Sequence, residues 1–235
     1  MSIVVLGINH KSAPLDVIER VSISDEALAK SLHELVSRDH VRETVVLSTC
    51  NRTEVYVIAE KFHGAFADVR DFFCEISGLS VEQLQPHFYS QHDDAAVSHL
   101  FEVASGLDSA VLGETEILGQ VRNAWDKART ETTARTSLNM LFRHALEVGK
   151  RARTETSISR STASVSHAAV EMATDILGTM SGRRVLVIGA GEMGAGIARA
   201  LSSAGSQCVT VMNRSSERAH QLAESVGAVV SHIDE

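Results

Sequence analysis

Residues 47–56 read LSTCNRTEVY and set a thiol, an amide and a guanidinium side by side at Cys50, Asn51 and Arg52. The apolar run Val45-Val46-Leu47 ends just before them, and Val55-Tyr56-Val57-Ile58 begins just after. A cysteine in a polar loop between two strands suits nucleophilic chemistry. Its thiolate attacks an activated acyl carbon, forms a thioester and expels the leaving group. A guanidinium two residues on can hold a carboxylate with a forked pair of bonds. The same pattern also describes an inert cysteine at a strand end.

A second chemical motif, GAGEMG, spans 189–194. It matches GxGxxG, follows an apolar run at 185–188 and opens a helical pattern, the context of a dinucleotide site. Gly189 allows the tight turn, Gly191 admits the pyrophosphate and Gly194 lets helix and strand pack, with Ala190, Glu192 and Met193 completing the turn. The helix N-terminus then faces the phosphates. At the end of the next strand, Asn213-Arg214-Ser215 stands where an NAD site has an acid for the ribose 2′-hydroxyl. A guanidinium and a hydroxyl suit a 2′-phosphate, so the expected cofactor is NADPH. A hydride donor beside a thioester implies reduction of an activated carboxyl to an aldehyde.

The elements that must position these groups follow from hydrophobic spacing. Residues 3–91 read β-α-β-β-α-β, a ferredoxin-like α+β unit with helices on one face. Asp93 or Asp94 starts a further helix that Gly106 stops, and two more helices follow. Residues 153–166 hold eight Ser/Thr in fourteen positions, which marks a boundary. Next comes a helix closed by Gly182, and then β-α-β-α-β, the first half of a Rossmann-type sheet. The fold class is α/β: a catalytic domain with added helices at 1–156 and a truncated NADP-binding domain at 157–235.

The 235 residues carry a net charge of −8, a poor signature for a nucleic-acid binder. Yet 127–160 hold eight Lys/Arg against three acids. That strip can follow a phosphate backbone, or it can be solvated helix faces. Three widely spaced cysteines without a CxxC pair suggest a reducing compartment. No leader and no apolar stretch of roughly 20 residues is apparent, so the expected location is cytoplasmic, away from membranes. His87, His92 and His99 lack metal-ligand spacing, and no metal is expected.

GINHKSAP (7–14), STCNRTE (48–54), HLFEVASGLDSAVLGETEILGQV (99–121), RTETSIS (153–159), GAGEMG and NRS (213–215) occur in that order. In these motifs the chain resembles the glutamyl-tRNA reductase family, which opens the five-carbon route to tetrapyrroles. The resemblance implies NADPH-dependent reduction of glutamyl-tRNA to glutamate-1-semialdehyde through a thioester on Cys50, assisted by His99. It implies that Thr49, Arg52, Ser109, Glu114 and Gln120 hold the glutamyl group, with Arg52 on its α-carboxylate and Asn51, Thr115 and Glu116 in the same set. Thr115-Glu116 replace a commoner Pro-Gln. The family chain is longer and ends in a dimerisation domain, so a fragment, monomeric on its own, is expected here. An aminomutase that takes up the aldehyde is the implied partner. Plainer readings remain for His99, as a satisfied helix histidine, and for Glu114, as an acid at a helix start. The alternatives for the whole chain are a shikimate-dehydrogenase-like NADP oxidoreductase and a non-catalytic tRNA- or nucleotide-binding module.

Overall fold

The computed structural model describes residues 2–158, 165–206 and 208–231, without the side chains of Glu192 and Cys208. Residues 159–164, with Arg160 and part of the Ser/Thr-rich stretch, lie outside the described residues. The chain is mixed α/β and forms two compact units, Met1–Ser159 and Arg160–Glu235.

The first unit runs β1 (Ser2–Asn9), α1 (Leu15–Val21), α2 (Asp25–Val36), β2 (Val41–Ser48), β3 (Arg52–Ala59), α3 (Phe62–Ser77), α4 (Val81–Leu84) and β4 (Tyr89–His92). Helices α5 (Asp94–Ser105), α6 (Glu116–Thr130) and α7 (Thr136–Glu155) follow. Ser24 starts α2 by accepting from the Ala27 N–H, and Ser80 with Gln83 forms a reciprocal capping box on α4. Gly78 and Gly106 end α3 and α5 at φ 65° and 78°, a left-handed conformation that glycine takes at little cost. Asp93 stands just before α5 and its carbonyl accepts from the Val97 N–H, but its side chain does not cap the helix. Its carboxylate instead accepts from the Ile3 N–H, stitching the chain after β4 to the start of β1.

The sheet is antiparallel, in the order β2-β3-β1-β4. All eight residues of β3 are buried, so both faces of the sheet are covered. Helices α1 and α3 pack on β1 and β3, while α5, α6 and α7 pack on β4, β2 and β3. The added helices α5–α7 have apolar sides that need a surface, and they take it on the sheet. Tyr56 of β3 meets Phe142 of α7 edge-on at 5.3 Å.

Glu43 pins α7 to the sheet. From β2 its carboxylate accepts from the backbone N–H groups of Arg135, Ser137 and Leu138 at 2.9, 3.1 and 2.9 Å. These include donors of the first helical turn that have no partner within the helix. The far end of α7 runs to Glu155, into the stretch expected to be linker. Arg153 anchors it, with Nη1 donating to the carbonyls of Ala104 and Gly149 and Nη2 to that of Glu114.

The second unit runs α8 (Val165–Leu177), β5 (Arg184–Ile188), α9 (Glu192–Ser203), β6 (Cys208–Met212), α10 (Ser216–Val226) and β7 (Val229–Ser231). Its strands are parallel, in the order β5-β6-β7. Helix α8 stops before Gly178, at φ 79°, short of the Gly182 stop read from the sequence. Met180 lies beyond the helix yet is buried.

Candidate active site

Side chains alternate across a strand, so Arg52, Glu54 and Tyr56 share one face of β3. The register sets Glu54 opposite Gly7 on β1, and Gly7 opposite Tyr89 on β4. With no side chain between them, Glu54 and Tyr89 meet across Gly7: the Tyr89 hydroxyl donates to Glu54 Oε1 at 2.5 Å. A Cβ on Gly7 would lie 2.7 Å from the Tyr89 hydroxyl oxygen and 2.9 Å from Glu54 Cγ.

Glu54 is fully buried. Its Oε1 also accepts from Arg52 Nη1 at 2.8 Å and faces His99 Nε2 at 2.9 Å, while Oε2 accepts from the Tyr56 hydroxyl at 2.5 Å. Burial opposes ionisation of this carboxyl. The His99 hydrogen bond and the Arg52 charge outweigh it and bring the pKa down to about 2. His99 moves the other way. Burial disfavours the imidazolium, but the bond to Glu54 and its charge prevail and raise the pKa above the ordinary 6.5. Burial and the Glu54 charge hold both tyrosine hydroxyls protonated.

Arg52 is only 1% exposed. Beyond Glu54, its Nη1 reaches Asp108 Oδ2 at 2.9 Å, and Nη2 donates to the Asp108 backbone carbonyl at 2.5 Å. Lys11 bonds the other Asp108 oxygen. Burial works against the Asp108 charge, yet the Lys11 bond and the Arg52 charge hold its pKa below the usual carboxylate value. Arg52 at the start of β3 and Lys11 after β1 thus converge on one carboxylate, that of Asp108 after α5.

Cys50 is exposed at the tip of the β2–β3 connection, two residues before Arg52. Thr49 closes this loop: its N–H donates to the Arg52 carbonyl at 2.8 Å, and its hydroxyl accepts from the Asn51 N–H at 3.2 Å. The Asn51 carbonyl accepts from the His10 N–H at 3.0 Å. Burial and the nearby charges of Arg52 and Lys11 lower the His10 pKa and favour its neutral form. Cys74 differs from Cys50: it packs against the core on α3, and burial pushes its thiol up.

The remaining expected substrate residues gather elsewhere. Glu114 is buried and caps α6, accepting from the N–H groups of Glu116 and Ile117 at 2.7 and 2.9 Å, with the Ser109 hydroxyl at 3.4 Å. Its contacts are those of an acid at a helix start. Thr115 and Glu116 are exposed at that end, and Gln120 is half-buried one turn on. Among the described residues no hydrogen bond joins the side chains of these three to Arg52, Glu54 or His99. The sequence reading passed over Glu54, Tyr56, Tyr89, Asp108 and Lys11. The alternation Arg-x-Glu-x-Tyr at 52–56 is a signal that could have found the first two.

Ligand atoms of Glu54, His99 and Asp108 lie within 4.8 Å of one another, a spacing a metal ion can use. The Arg52 guanidinium bonds both of these carboxylates already, so a cation occupies the centre and a second would meet its repulsion.

In the second unit, Gly189 turns at φ 101° and its N–H donates to the Met212 carbonyl at 2.8 Å. The Ala190 N–H donates to Asn213 Oδ1 at 3.1 Å, and Asn213 Nδ2 donates to the Ser215 carbonyl at 3.0 Å. Asn213 therefore ties the glycine turn to the end of β6. The Ser215 hydroxyl caps α10 through the Arg218 N–H. Open space surrounds the position of a Cβ on Gly191, whereas a Cβ on Gly194 would run into the Gly189 carbonyl oxygen. An open glycine turn at the start of a 12-residue helix fits a pyrophosphate. Arg214 and Met193 are exposed, and the Glu192 side chain lies outside the described residues.

The basic strip on α6 and α7 is partly neutralised. Lys127, Arg129, Arg143 and Arg151 pair with Glu131, Asp126, Glu147 and Glu155. Arg153 is turned inward to backbone carbonyls. It is thus removed from the residues expected to meet a phosphate backbone.

Residues 6–156 match the family described as Glutamyl-tRNAGlu reductase, N-terminal domain. The chain belongs to the glutamyl-tRNA reductase family. Residues 171–235 match Shikimate / quinate 5-dehydrogenase. Glutamyl-tRNA reductase 1 of Nocardioides sp. is 42% identical over 228 residues, which cover 97% of this chain and 53% of that protein. The glutamyl-tRNA reductase of Bacillus subtilis is 43% identical over 224 residues, 95% of this chain and 49% of that protein. The solved structure of glutamyl-tRNA reductase from Methanopyrus kandleri matches with a TM-score of 0.61 at 38% identity, over 99% of this chain and 54% of that one. The chain spans about half the length of the curated reductases it matches. Among the described residues no helix is long and apolar enough to cross a membrane.

Proposed function

We propose that this member of the glutamyl-tRNA reductase family forms a thioester between Cys50 and the glutamyl group of glutamyl-tRNA. The thioester is then reduced to glutamate-1-semialdehyde, for tetrapyrrole synthesis. The observation that carries the reading is an exposed thiol two residues from the buried Arg52–Glu54–His99 cluster.

The Cys50 thiolate sulfur bonds to the ester carbon, the ester C–O bond breaks, and protonated His99 passes a proton to the leaving 3′ oxygen. That carbon is the glutamyl α-carboxyl, so Arg52 cannot grip it as a free carboxylate, and the expectation drawn from the resemblance is corrected on this point. The groups left for recognition are the side-chain carboxylate and the α-ammonium. Arg52 and Lys11 suit the anion and Asp108 the cation, provided Asp108 yields its place on Arg52 to the incoming carboxylate. Gln120 of α6 and Ser109 before it would complete the pocket, with Glu114 holding the start of α6.

The strand order β2-β3-β1-β4 supports a ferredoxin-like catalytic domain over 1–156. The parallel strands and glycine turn support a Rossmann-type NADP-binding domain over 157–235. Gly189, Gly191, Gly194 and the start of α9 would hold the pyrophosphate, and the exposed Arg214 the 2′-phosphate. NADPH bound there would supply the hydride that reduces the thioester. With Lys127, Arg129, Arg143 and Arg151 paired to acids and Arg153 turned inward, the exposed Arg135 and Lys150 are the described residues of the basic strip left to meet tRNA.

The test follows NADPH consumption on addition of glutamyl-tRNA, before and after alkylation with iodoacetamide. The reading expects consumption that alkylation abolishes. Consumption that survives alkylation would support a shikimate-dehydrogenase-type hydride transfer, which uses no thiol.

A further inference from the structure

We propose that Glu54 is the positioning residue for His99: it holds the Nε2 proton of the imidazole and so leaves Nδ1 as the nitrogen that exchanges a proton with the leaving 3′ oxygen. This rests on the reaction proposed above and names a group that the motif reading passed over.

The geometry runs from the strand register upward. Glu54 sits on the central strand, fully buried, and the other partners on its carboxylate are all donors: the Arg52 guanidinium and the hydroxyls of Tyr56 and Tyr89. None of these three can accept from it while so engaged, so the carboxylate is the acceptor in its fourth bond as well. The proton between Glu54 Oε1 and His99 Nε2, 2.9 Å apart, therefore belongs to the imidazole. Neutral His99 is then the Nε2–H tautomer, and protonation adds the second proton at Nδ1. The Tyr89 ring packs edge-on against the imidazole at 5.5 Å and fixes its plane. The charged and titratable groups facing His99 are Glu54 and Arg52 from β3, Tyr89 from β4 and Asp108 from the chain after α5. Glu54 and Asp108 favour the imidazolium and Arg52 opposes it, in line with the raised pKa.

In the transfer step the Cys50 thiolate sulfur bonds to the ester carbon as the ester C–O bond breaks. The Nδ1 proton goes to the 3′ oxygen, leaving tRNA with a hydroxyl and His99 neutral, still bonded through Nε2–H to Glu54. Water restores the Nδ1 proton. The bond to Glu54 and its charge favour the protonated imidazole, the form a general acid requires.

Two measurements test this. The first is the pH profile of single-turnover ester cleavage of glutamyl-tRNA by wild type and Glu54→Gln. The expected result is a basic limb displaced by at least about one pH unit to lower pH, with the two rates converging in acid. A uniform loss at every pH, or an unmoved midpoint, would overturn the proposal. The second needs no substrate: the imidazole nitrogen signals of His99 in the wild-type protein, assigned by their absence in His99→Gln. Titration above 6.5 from an Nε2–H tautomer is expected. An Nδ1–H tautomer, or titration below the ordinary value, would overturn the assignment. Should wild type cleave no ester at all, the reaction fails, while the nitrogen signals still decide the role of Glu54.

Discussion

Gly7→Ala should injure both the fold and the site, because Glu54 and Tyr89 cross at that position. The added Cβ meets the Tyr89 hydroxyl at 2.7 Å, its Cζ at 2.8 Å and Glu54 Cγ at 2.9 Å, and all three separations are too short to persist. β1 pairs on both edges, with β3 and with β4, so its backbone has little freedom to retreat. The least costly response is for Tyr89 to swing away, losing a hydrogen bond to a charged acceptor worth about 1.5–3 kcal/mol. Residual overpacking against Glu54 adds about 1 kcal/mol or more, and the stiffer unfolded chain returns about 0.4–1 kcal/mol. The net loss is about 2–4 kcal/mol, a fall in Tm of roughly 5–12 °C for a unit of this size. Urea denaturation followed by circular dichroism measures it. A double-mutant cycle with Tyr89→Leu assigns it, since leucine removes both the ring carbon and the hydroxyl that clash. The cycle should show coupling of at least about 1 kcal/mol. Strict additivity, or a Gly7→Ala loss below about 0.5 kcal/mol, would refute the crossing argument.

Glu43→Ala removes the acceptor for three N–H groups at the start of α7 and should cost about 2–4 kcal/mol in urea denaturation. Amide exchange at Ser137 and Leu138 should quicken in step. Arg153→Ala should lower Tm measurably by freeing the Ala104, Gly149 and Glu114 carbonyls, whereas Arg151→Ala, an exposed pair with Glu155, should leave it unchanged. The Glu54 pKa, lowered in the fold to about 2, contributes stability that is present above its ordinary 4.5 and lost as pH falls towards 2. Glu54→Gln should therefore flatten the acid side of the stability profile. His99, raised in the fold, contributes below its ordinary 6.5 and loses that contribution as pH rises through its folded value.

Much of the fold was legible because it is written locally. Gly106, read from the sequence as a helix stop, ends α5, and Ser24, Ser80 and Gly78 likewise start or stop helices by capping chemistry within a few residues. The misreadings came where a distant group prevailed. Asp93 looked like a cap but bonds Ile3, ninety residues away in sequence. The Ser/Thr-rich stretch looked like linker from residue 153, but Arg153 reaches the end of α5 and prolongs α7. The same division holds at the candidate site. The thiol, the guanidinium and the glycine turn declare themselves by residue type and spacing. That Glu54, Tyr89 and His99 meet depends on the row Glu54–Gly7–Tyr89 across three strands, which no local pattern displays. Nor does local pattern show that Asp108 comes to occupy Arg52.

The central claim is that Cys50 takes the glutamyl group. Its most direct test is intact-protein mass spectrometry after mixing the protein with glutamyl-tRNA, in the absence of NADPH, and quenching in acid. The account predicts a species heavier by one glutamyl group, located on the peptide that contains Cys50 and absent from Cys50→Ala. No added mass, or the same added mass in the alanine variant, would contradict it.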